Sequence, residues 1–276
     1  MKPPPYASSL QRTGYYVFLL FCGLVFLFLV LPIIAIVPIS FTSGTFLTYP
    51  LPGLSLRWYE DFISSTMWRL AMKNSFIVAI STTVLATFLG TLAALGLTRA
   101  KFPLKGLVMA MLISPMIVPV VITAVGVYFF FARLGLTNTL SGLVLAHTVL
   151  AVPFVVITVT SSLQGFDITL TRAAASLGAN PVTVFFKVTL PLILPGLISG
   201  ALFAFATSFD EVVVALFLAG PAQRTLPRQM FSGIRENIGP TITAVATLLI
   251  IISVLLMVAM ELLRRRSERL RGIAGK

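Results

Sequence analysis

Charge is scarce in this 276-residue chain, whose 20 Lys and Arg and 8 Asp and Glu make up 10% of the residues. A soluble globular domain carries roughly a quarter, so a solvated domain of ordinary composition is excluded. Cysteine and histidine occur once each, at Cys22 and His147. That excludes an intrachain disulfide, a thiolate metal cluster and a His-based one. No metal site and no bound cofactor are therefore expected. The sequence also lacks a Gly-x-x-x-x-Gly-Lys-Ser/Thr phosphate loop, so the chain is expected not to be an enzyme and not to hydrolyse ATP.

What remains is apolar: 58% hydrophobic residues and a mean hydropathy of +1.02. The net charge of +12 and pI near 10.6 suggest nucleic acid at first sight. The basic residues are spread through loops and tails, however, and membrane orientation accounts for them better, so no nucleic-acid partner is expected. A membrane span needs about 20 apolar residues. Six segments qualify: Tyr15–Ile39, Asn74–Thr98, Leu107–Phe131, Leu140–Ser161, Gly196–Leu218 and Thr241–Leu263. The first is too long for the roughly 7–15-residue apolar region of a signal peptide and is read as an uncleaved span. The fold class is thus an all-α polytopic membrane protein with six helices. Residues 1–14 form an N-terminal tail, 15–263 one membrane domain and 264–276 a basic C-terminal tail.

Pro115 and Pro119 are expected to kink or unwind segment three, because each removes a backbone donor. Gly90, Ala93, Ala94 and Gly96 in segment two permit close helix approach. Between the first two spans, Phe41–Leu70 reads as a loop followed by an interfacial helix, with Trp58, Tyr59 and Trp68 at headgroup depth. Asn74-Ser75 is read either as a helix cap or as a site. A further outer segment, Ala219–Pro240, holds Gly220-Pro221, Leu226-Pro227 and a short helical stretch around Gln229–Ile234.

Lys and Arg counts orient the chain. With the N-terminus inside, inner segments hold Lys2, Arg12, Arg99, Lys101, Lys105, Arg172, Lys187, Arg264, Arg265, Arg266, Arg269, Arg271 and Lys276. Outer segments hold Arg57, Arg69, Lys73, Arg133, Arg224, Arg228 and Arg235. Thirteen against seven places both termini in the cytoplasm of a cell membrane crossed several times, with lipid as the surrounding partner.

The loop after segment four, about 162–195, is then cytoplasmic. A short helix from Leu170 to Leu177 is expected to stop at Gly178, which reaches the left-handed backbone that ends helices. Asn180-Pro181 restarts the chain, since Pro is tolerated at the first helical position. This compact helix–turn–helix has the shape to dock in a groove of a soluble partner.

The spacing Ala173-Ala174, Gly178, Val188 and Leu190-Pro191 resembles the EAA loop of ABC-importer permeases. That family's pattern is Glu-Ala-Ala, three residues, Gly, nine residues, Ile, one residue, Leu-Pro. Arg172 stands here where the family has Glu, and Val188 where it has Ile. The resemblance implies the type I importer permease (MetI-like) fold and a coupling role for Arg172, Ala173, Ala174, Gly178, Ala179, Asn180, Pro181, Leu190 and Pro191. It also implies partners: a second homologous permease forming a heterodimer, two cytoplasmic ATPase subunits that carry ATP and Mg, and a periplasmic substrate-binding protein.

Asp210-Glu211 in segment five is the sharpest polar signal within the spans. At 1.5 Å per residue from Gly196, Asp210 lies roughly 20 Å from the cytoplasmic end, where a carboxylate needs water, protein or a cation. Two readings stand. One is a cation-attracting element of a translocation path; the other is a structural ion pair with Arg133 or Arg235, or a position near the outer surface. His147 either relays protons or bonds a neighbouring helix. Tyr128 either stacks on a substrate or fills a helix contact.

The stretches Asn74-Ser75-Phe76, Ser208-Phe209-Asp210-Glu211, Gly220-Pro221 with Thr225-Leu226-Pro227, and Gly239-Pro240 with Ala244 look like those of the spermidine/putrescine permeases, most nearly their second permease subunit. The resemblance implies a small cationic cargo and carries an acidic path residue over to Asp210 alone; Glu211 and Tyr128 remain path candidates on their own chemistry. Similar relatives move other amines, amino acids such as γ-aminobutyrate, or opines. A proton-coupled secondary transporter using Asp210 and His147 is the rival class, and inverted repeats would support it; none are visible.

Overall fold

The computed structural model describes residues 8–99, 103–165, 167–236 and 239–270. Lys2, Lys101, Arg271 and Lys276, counted for orientation, lie outside the described residues, as does Phe166 of the loop after segment four. The helices in chain order are α1 (Ser9–Ile39), α2 (Arg57–Ser64), α3 (Thr66–Arg99), α4 (Lys105–Ile117), α5 (Val120–Arg133) and α6 (Leu140–Gln164). They continue with α7 (Ile168–Ser176), α8 (Pro181–Val184), α9 (Leu190–Phe209), α10 (Val213–Leu218), α11 (Leu226–Glu236) and α12 (Pro240–Leu270). Among the described residues there is no strand, only one isolated bridge between Thr42 and Leu54. Five stretches are long and apolar enough to span a membrane, and α4 with α5, bent by 105°, makes a sixth. The all-α, six-span reading stands.

The chain divides into two compact units. The first is Met1–Phe62 with Asn237–Leu249, the second Ile63–Glu236 with Ile250–Lys276. In the first unit, α1 starts at a capping box between Ser8 and Gln11, and none of its residues is buried. The segment after it is tightly organised. Trp58 Nε1 donates to the Thr42 carbonyl at 2.8 Å, and the Tyr59 and Ser40 hydroxyls lie 2.7 Å apart. Thr241 Oγ1 donates to Asp61 at 2.8 Å. Trp58 and Tyr59 are therefore bound into this loop.

In the second unit, α3, α6 and α9 pack around Ala86, Ala94, Ala151, Val155, Val159, Ile193 and Ala204. A methyl added at Gly90 would lie 2.7 Å from Val155 Cβ, so the missing side chain is what lets α3 approach α6. Ala94 is fully buried, but Gly96 faces open space and takes no part in the contact. A second core joins Ala124 and Phe131 of α5, Leu143, Val144 and Leu150 of α6, and Val214, Ala215 and Leu218 of α10. Trp68 belongs to α3 and is buried against the rest of the chain. The helix began eight residues before Asn74 because no cap or breaker interrupts Thr66–Lys73.

The two prolines of segment three behave differently. Pro115 cannot donate to the Met111 carbonyl, but Ser114 Oγ does so at 2.8 Å, and α4 continues through it. Pro119 forces the preceding residue out of the helical region: Val118 has φ −69 and ψ 132. The chain turns there, and α5 starts at Val120.

Candidate functional site

The loop after α6 folds from its own residues. Asp167 caps α7, its carboxylate accepting from Thr169 N at 2.9 Å. That backbone bond, with a side-chain bond from the same Thr, holds the Asp167 carboxyl below its ordinary pKa. The helix runs Ile168–Ser176 with Leu177 as its C-cap, slightly earlier than the Leu170–Leu177 suggested by sequence. Gly178 then takes φ +84. Gly178 N donates to Ala175 O at 3.0 Å and Ala179 N to Ala174 O at 3.2 Å, the paired bonds of a Schellman termination. Asn180 Oδ1 accepts from Thr183 N at 2.8 Å, and Pro181 opens α8.

No residue of α7 is buried; Ile168, Leu170 and Val182 are exposed, and Leu177 is 89% exposed. Arg172 and Ala173 also face outward, Ala174 and Ala179 partly. Leu190 and Pro191 do not share this face. They begin α9, and Leu190 packs against the α3–α6–α9 core. Between the loop and α9 lies a single π turn, Phe185–Thr189, whose Thr189 is buried and accepts from Arg99 Nη2 at 3.2 Å.

The carboxylate pair is not on one continuous helix, contrary to the expectation of a span from Gly196 to Leu218. α9 ends at Phe209 with Asp210 as its C-cap, and α10 starts at Val213. Glu211 supplies the reason. Its Oε1 accepts from Val213 N at 2.9 Å and Val214 N at 3.0 Å, and its Oε2 from Ala215 N at 3.2 Å. These are the first donors of α10, which otherwise have no partners. An acidic side chain just before the apolar run Val212–Leu218 is the sequence signal for such a start.

Glu211 faces neither Arg133 nor Arg235. The side chain it approaches is His147 of α6, with Nε2 3.7 Å from Oε2, beyond hydrogen-bond reach, and both side chains buried. His147 Nδ1 lies 2.9 Å from Ser208 Oγ in the last turn of α9. The histidine thus bonds a neighbouring helix, one of the two readings open from sequence. Nothing local in the sequence marks the partner of Ser208, which lies 61 positions away.

Asp210 is exposed and, with Glu211, lines an open cavity of about 410 Å³, whose other lining residues are Ala206, Thr207, Phe209, Ser253 and Leu256. Tyr128 is not among the cavity residues; it stands on α5, 37% exposed, edge-on to Phe129. Asn74 and Ser75 are neither a cap nor part of this cavity. They lie inside α3, where Asn74 Nδ2 donates to the carbonyls of Ala222 at 2.9 Å and Arg224 at 3.0 Å, and Ser75 Oγ accepts from Leu226 N at 2.7 Å. They fasten the turn before α11.

Residues 86–270 match the family described as binding-protein-dependent transport system inner membrane component. The chain is 32% identical over 255 residues to the spermidine/putrescine transport system permease protein PotC of Escherichia coli, covering 92% of this chain and 96% of that one. To PotC of Haemophilus influenzae it is 35% identical over 248 residues, covering 90% and 96%. Among solved structures, a bacterial ABC transporter involved in import of the acidic polysaccharide alginate superposes with a TM-score of 0.76 at 16% identity, covering 94% of this chain and 99% of that one. That likeness speaks to the fold.

Proposed function

Since the chain belongs to the inner membrane components of binding-protein-dependent transport systems and is an ABC-importer permease subunit, we propose that its cargo is a small cationic amine, a polyamine such as spermidine or putrescine. The observation that carries this reading is the exposed Asp210 carboxylate, set at the end of a broken membrane helix beside a cavity. A cation crossing a low-dielectric region needs a compensating negative charge, and Asp210 supplies one that no protein cation neutralises among the described residues. Similarity to the two PotC proteins supports the same cargo class.

The rest of the machine follows the same reading. The permease pairs with a second, homologous one as a heterodimer. Two cytoplasmic ATPase subunits bind the nucleotide and Mg, and this chain hydrolyses nothing itself. The exposed α7, with Leu177 at its end, docks in a cleft of one ATPase, and the π turn joins it to α9. Arg172 faces out from α7 to meet an acidic residue of that subunit. A periplasmic protein delivers cargo to the outer face, where the turn held by Asn74 and Ser75 lies. Both termini lie in the cytoplasm.

The test is ATP-dependent uptake of labelled spermidine by the assembled importer in proteoliposomes. Asp210→Asn keeps the size and removes the charge, so uptake should fall by about tenfold or more while the complex assembles normally. A parent importer that takes up no spermidine, or an Asp210→Asn importer that takes it up at the parental rate, sinks this reading.

A further inference from the structure

The two neighbouring carboxylates have opposite surroundings. The Glu211 side chain is 8% exposed, and both its oxygens are spent on the backbone N–H groups of Val213, Val214 and Ala215. Asp210 is exposed at the end of α9. If α9 simply ran on, those three N–H groups would bond to carbonyls within the helix, and Asp210 would lie on a continuous cylinder. Glu211 offers them another acceptor, and an acceptor is required because an unpaired N–H in a low-dielectric setting is costly.

His147 fixes where the break falls. One imidazole reaches both sides of it: Nδ1 is 2.9 Å from Ser208 Oγ on the α9 side, and Nε2 is 3.7 Å from Glu211 on the α10 side. The ring is fully buried, and Nε2 has no hydrogen-bond partner. Val214, Ala215 and Leu218 of α10 pack with Leu143 and Leu150 of the same helix α6. Helix α6 thus meets the chain before and after the break, and of the two carboxylates that line the cavity Asp210 is the exposed one, while the oxygens of Glu211 are taken up by the start of α10.

We infer that Glu211, bonded to the first N–H groups of α10 and packed beside His147, is a positioning residue that ends the fifth span and presents Asp210 to the cavity, and that Glu211 itself does not bind the cargo. The uptake arm of the test rests on the cationic-cargo reading above; a labelling arm does not.

In the uptake arm, the assembled importer carries Glu211→Ala, Glu211→Gln, Asp210→Asn or Asp210→Asn with Glu211→Ala, and spermidine is the probe. Glu211→Ala removes the acceptor and should cost about tenfold in uptake, whereas Glu211→Gln, whose amide oxygen still accepts, should recover most of that loss. The double variant should lose no more than Asp210→Asn alone, because residues that act through one another are not additive. Losses that multiply, or a Gln variant as poor as Asp210→Asn, overturn the inference. If Glu211→Ala fails to assemble, the Gln variant decides.

In the labelling arm, Cys22→Ser removes the only cysteine, and Asp210→Cys is reacted with a water-soluble maleimide. Its labelling rate should be the same with Glu or Gln at 211 and change by about threefold or more with Ala. An unchanged rate with Ala overturns the inference. Spermidine uptake indifferent to Asp210→Asn overturns the cargo reading alone and leaves the labelling arm to judge the positioning role.

Discussion

The loop from Asp167 to Pro181 and the break after Phe209 are both helix interruptions, yet they are built over different distances. In the loop, Asp167 bonds Thr169, Gly178 bonds Ala175, Ala179 bonds Ala174, and Asn180 accepts from Thr183, all within five positions. At the break, the capping by Glu211 is local, but its place is held by His147, 61 positions before Ser208. The first region also buries nothing of α7, while the second leads directly into a buried cluster through Val214, Ala215 and Leu218. A region that folds from its neighbours can be offered to a partner as a free surface. A region that needs the rest of the fold reports the state of the helices around it.

This contrast makes opposite demands on mutants. Changes in the α3–α6–α9 core should cost stability first, and changes in the loop should cost coupling with stability kept. The largest stability loss is expected from Gly90→Leu. A side chain there meets Val155 within 2.7 Å of its first carbon, and overpacking of this kind costs about 1–3 kcal/mol. The purified complex should melt several degrees lower, by about 2–4 °C per kcal/mol for a chain of this size. An unchanged melting temperature would mean that α3 and α6 are not in close contact.

Gly178→Val acts through the backbone alone. A methyl at Gly178 meets nothing within 4 Å, but φ is +84, so the cost is strain of about 1–2 kcal/mol confined to one turn. Binding-protein-stimulated ATPase activity should separate from transport, or the ATPase should no longer co-purify, with the melting temperature of the permease itself little changed. Normal transport with normal stimulated ATPase activity in this variant would remove the loop from the coupling mechanism.

The smallest effect belongs to Asn180→Ala. It removes the cap that accepts from Thr183 N, worth about 1 kcal/mol. Pro181 still presets the first turn of α8, so transport should drop only severalfold, as measured by initial uptake rate. If this change instead lowered the melting temperature as far as Gly90→Leu, the loop would not be the locally built region described here.

Legibility in the sequence tracks the same distances. Gly178, Asn180 and Pro181 declare a stop and a restart by side-chain chemistry alone, and the structure puts each where that chemistry sends it, with α7 displaced by one or two residues. Pro119 announced a break for a steric reason that needs only the residue before it. Pro115 looks identical in sequence, but Ser114 Oγ supplies the missing donor, and α4 survives. Asn74 and Ser75 resembled a helix start because polar residues commonly cap helices. Their partners, at Ala222, Arg224 and Leu226, lie about 150 positions away and leave no local trace.

By itself the sequence determined that this is a helical membrane protein with six apolar spans, that its loop after the fourth is a helix–turn–helix, and that it belongs with the importer permeases. Apolar length, Lys and Arg counts and turn chemistry are all properties of contiguous residues. Only the tertiary structure decided that Asp210 is exposed while Glu211 accepts from the first N–H groups of the next helix, that Tyr128 stands apart from the cavity, and that Gly90 rather than Gly96 makes the close approach. Those outcomes depend on which helix faces which. In a membrane segment, where nearly every position is apolar, hydrophobic periodicity carries little record of that pairing; it is fixed by the fit of small residues and by a few buried hydrogen bonds between distant parts of the chain.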